Sequence, residues 1–317
     1  MCSRFLHRRG GIRHGQRLGF SAPSPTHTAA PGVRVETTGH FVQPGRQIRR
    51  ALRSCLHRAR SEGFLREAWL AARFDSPEFV RARVPTEPAQ RYYVQDYIEA
   101  PTLRSVLRNR TLPVEGVIAL GKFLSRTAQI LVRHRLAPGD LKPEYILVLR
   151  SGDPWEFRLI DLGTAAAMFS TTSRAGTASY LAPERFQNAP VSERTEVFTI
   201  GVILYEALAG RLPFGEIERF QSPRFNSAPK PVSRFNVAVP YWLDSIVQRA
   251  IAPITRERYQ YYSEIAHDLD NPESVVPFHP SNVPLIERNP VGFFKLLCVV
   301  LLLLNLLQLW QRISGEP

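Results

Sequence analysis

The strongest constraint on this 317-residue chain is a series of short motifs in fixed order between residues 136 and 258. The first is Leu136–Val148, Leu-Ala-Pro-Gly-Asp-Leu-Lys-Pro-Glu-Tyr-Ile-Leu-Val. Asp140 stands two residues before Lys142, Pro143 stiffens the turn, and Ile146, Leu147 and Val148 leave it as an apolar run. A polar turn feeding such a run predicts a loop that enters a buried strand. Leu159-Ile160-Asp161-Leu162-Gly163 follows, and then Gly176-Thr177-Ala178-Ser179-Tyr180-Leu181-Ala182-Pro183-Glu184. Glu196-Val197-Phe198-Thr199-Ile200-Gly201-Val202 and a lone Arg258 complete the series. Taken singly, each piece is ordinary; an Asp before Lys-Pro is more often a surface turn. Their order over more than a hundred residues makes them one constellation.

That constellation resembles the Ser/Thr protein kinase family. Asp140-Leu-Lys-Pro-Glu matches the catalytic loop His-Arg-Asp-Leu-Lys-Pro-Glu-Asn, in which the aspartate orients the substrate hydroxyl and accepts its proton. The resemblance implies Asp140 as base and Lys142 as contact to the transferring phosphate. It implies Asp161 as metal ligand, in an Asp-Phe-Gly motif with Leu162 in place of Phe. Thr177, Glu184, Glu196 and Arg258 take structural roles, with Glu184 pairing Arg258 and Glu196 bracing the catalytic loop. The fold implied is α+β and bilobal, with a mainly helical large lobe. ATP and Mg²⁺ are the cofactors of the family.

Charge narrows the partners. The net charge of +13 suggests nucleic acid, but residues 1–60 carry +11 of it, from twelve Arg, no Lys and the single acid Glu36. The rest is near neutral and has no basic patch with interleaved aromatics, so no nucleic-acid partner is expected. Cys2, Cys55 and Cys298 have no metal or disulfide spacing, as in a reduced, cytosol-facing protein.

Along the chain, residues 1–45 are rich in Arg, Gly, His, Ser and Pro, and read as a basic, disordered segment. An Arg-rich, acid-poor start is also the composition of an organellar transit peptide, but no clear amphipathic helix accompanies it. Residues 46–99 read as an eroded small lobe of helices and two strands. Ile48, Ala51, Leu52, Cys55, Leu56 and Ala59 recur at helical spacing. A second helical stretch, Phe64–Ala72, carries Glu67, the small-lobe helix glutamate by resemblance. Phe79–Val84 and Arg91–Ile98 read as strands. Gln95 to Glu99, with Gln95 and Tyr97 as named contacts, form the hinge that meets adenine in the family. Residues 100–275 read as the large lobe, with helices over Leu112–Leu136, Glu196–Ala209, Tyr241–Ala252 and Tyr262–Leu269.

The end differs in kind. After a linker, 276–290, residues 291–310 read Val-Gly-Phe-Phe-Lys-Leu-Leu-Cys-Val-Val-Leu-Leu-Leu-Leu-Asn-Leu-Leu-Gln-Leu-Trp. About 20 mostly apolar residues span a bilayer. Phe293, Phe294 and Trp310 suit its interfaces, and Lys295 can snorkel to the headgroups. The reading is a transmembrane tail anchor, with Arg288 and Lys295 keeping the folded domain cytoplasmic. Pro284–Pro290 leading into this helix is similar to the C-terminus of bacterial bifunctional Ser/Thr kinase/phosphatase proteins, without their phosphatase half.

Phosphoryl transfer needs a glycine-rich phosphate cover, a small-lobe lysine, metal ligands and the base. Gly32, Gly39 and Gly45 do not form the cover, and no lysine precedes Lys122. Arg49 or Arg53 supplies charge, but a planar fork is no simple replacement for an ammonium. Pro138-Gly139 stands for His-Arg, and Tyr145 for the second metal ligand, Asn. A phenol is a poor Mg²⁺ ligand. The expectation is a membrane-anchored, degenerate member of the family that acts by binding a protein partner of unknown identity. The alternative is an active Ser/Thr kinase using Asp140, Lys142 and Asp161.

Overall fold

The computed structural model describes residues 33–43, 46–55, 68–83, 92–150, 154–162, 165–168, 177–218, 225, 229–279 and 290–314. Strands β1 (Val33–Gln43), β2 (Arg46–Cys55), β3 (Ala82–Arg83) and β4 (Tyr92–Asp96) form an antiparallel sheet in the order β1-β2-β4-β3. Helix α1 covers residues 68–73.

Two expectations are corrected here. The helix expected from Arg46 to Ala59 is replaced over Arg46–Cys55 by a strand, and the disorder expected through residue 45 gives way to strand at Val33. The physical reason is pairing. Ala51 faces Thr37 on one side and Gln95 on the other, so β2 finds a ladder along both edges. Local periodicity cannot register such partners, and tertiary context overrides it. Val33, Val35 and Thr37, β-branched at every second position, were the signal for β1.

After the sheet come α2 (Leu103–Leu107), α3 (Val114–Arg133), α4 (Glu193–Ala209), α5 (Tyr241–Ala250) and α6 (Tyr262–Asp270). Helix α4 is buried on every side from Thr195 to Leu208, its sequence being mainly apolar and its buried Glu196 and Glu206 hydrogen-bonded. Ser192 and Thr195 cap its start reciprocally, and Gly210 ends it in the left-handed region, at φ 67°. Gly201 lets α4 meet α5: a Cβ there would lie 2.7 Å from the Ala250 Cβ.

Three short pieces position the motifs. Strand β5 (Leu136–Ala137) leads into Asp140 and pairs with β8 (Ala166–Ala167). Strand β6 (Ile146–Arg150) leaves the loop and pairs with β7 (Glu156–Leu159), which delivers Asp161. The buried strand expected after Pro143 is β6: Ile146, Leu147 and Val148 are all buried.

A final helix, α7, runs from Pro290 to Ser314. Among the described residues no helix is long and apolar enough to cross a membrane.

Candidate active site

Asp140 is held from two sides. Its Oδ1 accepts the Thr177 backbone N–H at 2.8 Å, and its Oδ2 accepts the Lys142 ammonium at 2.8 Å. Lys142 also donates to the Thr177 hydroxyl at 3.0 Å. The turn between β5 and β6 thus meets the segment carrying Thr177, and three residues 35 or more positions apart at the extremes close into one cluster. Burial alone would lower the Lys142 pKa. The Asp140 carboxylate outweighs it, and the net shift is upward, so the ammonium stays charged.

Glu196, at the start of α4, accepts the Gly139 N–H at 3.3 Å. Gly139 takes φ 79°, a left-handed turn that aims its N–H inward without Cβ strain. Glu196 is buried, and that burial pushes its carboxyl up to about 7. The Gly139 bond and Arg185 pull it back down, while Asp140 adds to the rise.

The expected pair Glu184–Arg258 is present and bidentate: Nη1 to Oε1 at 2.8 Å, Nη2 to Oε2 at 2.9 Å. The guanidinium also donates to the carbonyls of Ala252, Arg194 and Pro253. It lies 4.8 Å from the Phe198 ring centroid. The Arg258 side chain is fully buried.

Metal chemistry fits less well. Ile160, just before Asp161, donates its N–H to the Tyr145 carbonyl at 2.9 Å, which sets Asp161 beside Tyr145. The Lys142 ammonium sits 4.5 Å from the Tyr145 ring centroid, a cation–π contact. Burial and the neighbouring Asp161 push the Tyr145 phenol above its ordinary pKa, so it stays protonated. A neutral phenol beside an ammonium is not a second Mg²⁺ ligand. Among the described residues no group of three or more His, Cys, Asp and Glu could hold a metal ion. The donors present do not fit a two-metal site.

Gln95 is buried, and its side-chain amide donates to the Ile160 carbonyl at 3.1 Å, tying β4 to the segment that leaves β7 toward Asp161. Tyr97 is half-buried, just past β4. Glu67 lies outside the described residues.

One network was not anticipated. Arg104 on α2 donates to Glu144 at 2.8 Å and also to Glu206 on α4 and to the Tyr180 hydroxyl. Tyr180 in turn donates to Glu206 at 2.6 Å. Burial, with Glu206 beside it, pushes the Tyr180 phenol well up. Glu144 and Tyr180 lie inside motifs already singled out, but Arg104 carries no local sign of its role.

Known proteins match this arrangement. The profile of the protein kinase domain matches residues 49–252. The Ser/Thr protein kinase PrkC of Bacillus subtilis is 29% identical over 216 residues, 65% of this chain and 33% of that protein. PknB of Mycolicibacterium smegmatis is 30% identical over 229 residues, 65% of this chain and 35% of that protein. The chain thus spans about a third of the length of the curated relatives it matches. Among solved structures, that of the Rad53 kinase domain and SCD2 superposes with a TM-score of 0.57 at 16% identity. It covers 74% of this chain and 84% of its own, a likeness of fold alone. With the domain profile covering more than half of its length and Asp140, Lys142 and Thr177 closed into one cluster, this chain belongs to the protein kinase family.

Proposed function

We propose that this chain is a membrane-anchored member of the family that acts by binding a protein partner rather than by transferring phosphate. The observation that carries the reading is Tyr145: its ring packs against the Lys142 ammonium at the position where the family's second metal ligand belongs. Arg53 supports it. The strand that carries it pairs beside β4, Arg53 opposite Tyr93, and contains no lysine. Membrane attachment is supported by the apolar sequence of 291–310. Arg288 and Lys295, on the domain's side of the helix, support a cytoplasmic side for the folded domain.

An active Ser/Thr kinase using Asp140, Lys142 and Asp161 with ATP and Mg²⁺ is the second reading. The closed Asp140–Lys142–Thr177 cluster favours it. Thermal unfolding with and without ATP and Mg²⁺ separates the two. A ligand at a hundredfold over its dissociation constant adds about 2.7 kcal/mol, which is readily seen. The expected result is no metal-dependent shift. A clear shift that Asp161→Asn abolishes, with phosphate incorporation lost in Asp140→Asn, would establish the kinase instead.

A further inference from the structure

Helix α7 is exposed at every residue from 294 to 308. Between 296 and 308 its side chains are Leu and Val except Cys298, Asn305 and Gln308. At about 100° per residue these three and Leu301 fall within an arc of about 80°. The spacing from 298 through 301, 305 and 308 is three, four, three, which is the a/d seam of a two-helix coil. The Asn305 amide donates one proton to the Leu301 carbonyl at 2.8 Å. Its second proton and its oxygen have no partner among the described residues.

We propose that α7 pairs with α7 of a second copy of this chain along the stripe Cys298, Leu301, Asn305 and Gln308. The inference rests on the membrane reading of 291–310. In hydrocarbon an unpartnered amide is costly, and lipid tails offer it nothing. A carboxamide donates and accepts at once, so across a two-fold axis Asn305 is its own complement. Such interhelical bonds hold transmembrane helices together. A parallel pair sets Cys298 opposite Cys298, two turns from Asn305.

The test uses the full chain in cell membranes, with Cys2→Ser and Cys55→Ser leaving Cys298 as the only thiol. Copper phenanthroline oxidation should give a disulfide-linked dimer. Moving the thiol off the stripe, by Cys298→Ser with Val299→Cys, should largely abolish it. Asn305→Leu should lower the association constant about 5- to 30-fold. Asn305→Gln should retain most of it. Equal cross-linking from 298 and 299, no dimer, or no effect of Asn305→Leu, in chains that resist carbonate extraction, overturns the pairing. A chain that carbonate extracts overturns the membrane reading, and the pairing falls with it.

Discussion

At the residue scale, the Glu196 carboxyl makes the site sensitive to pH. Burial raises its folded pKa to about 7, from an ordinary 4.5. The folded state therefore binds more protons than the unfolded state between those values. The stability contribution is fully present below about pH 4.5 and is lost as pH rises through about 7. The whole difference is on the order of 2–4 kcal/mol. Glu196→Gln mimics the protonated form, so it should match the parent near pH 4 and exceed it by that amount at pH 8. Urea denaturation of both proteins across this range checks the prediction. Parallel pH profiles would show that Gly139 and Arg185 offset the burial completely. At the same scale, Tyr145 accepts the Ile160 N–H through its carbonyl while its ring packs against the Lys142 ammonium.

At the element scale, Glu184–Arg258 ties the segment after Thr177 to the approach of α6. Arg258 makes five hydrogen bonds, three of them to carbonyls of two different stretches, and is fully buried. Removing Glu184 strands that charge, and removing Arg258 strands the carboxylate. Each of Glu184→Ala and Arg258→Ala should cost about 3–5 kcal/mol, with the double variant costing much less than the sum. A double-mutant cycle by chemical denaturation measures this. Additive effects under about 1 kcal/mol would mark Glu184 as a solvated carboxylate. Arg104 works on the same scale, joining α2, the loop after Asp140 and α4 through Glu144 and Glu206. Gly201 lets α4 and α5 pack closely, since a Cβ there would meet Ala250 and Ile251.

At the scale of the whole molecule, a folded domain of the protein kinase family is followed by a helix of exposed Leu and Val. Full-length protein should pellet with membranes and resist carbonate, and removal of 289–317 should release it; a wholly soluble full-length chain would end that reading. The sequence by itself determined the family, the large lobe and the members of the central cluster. Asp140, Lys142, Thr177, Glu184, Glu196 and Arg258 sit in motifs whose residue types and order are legible without coordinates, and the long helices carry their own periodicity. The tertiary structure alone decided the rest. Arg46–Cys55 is strand because β1 and β4 pair with it, a long-range fact that its helix-like spacing conceals. Gln95 turns to the Ile160 carbonyl, and Arg104 finds two carboxylates 40 and 102 residues away. Those choices depend on which chain segments meet, and sequence spacing encodes only neighbours along the chain.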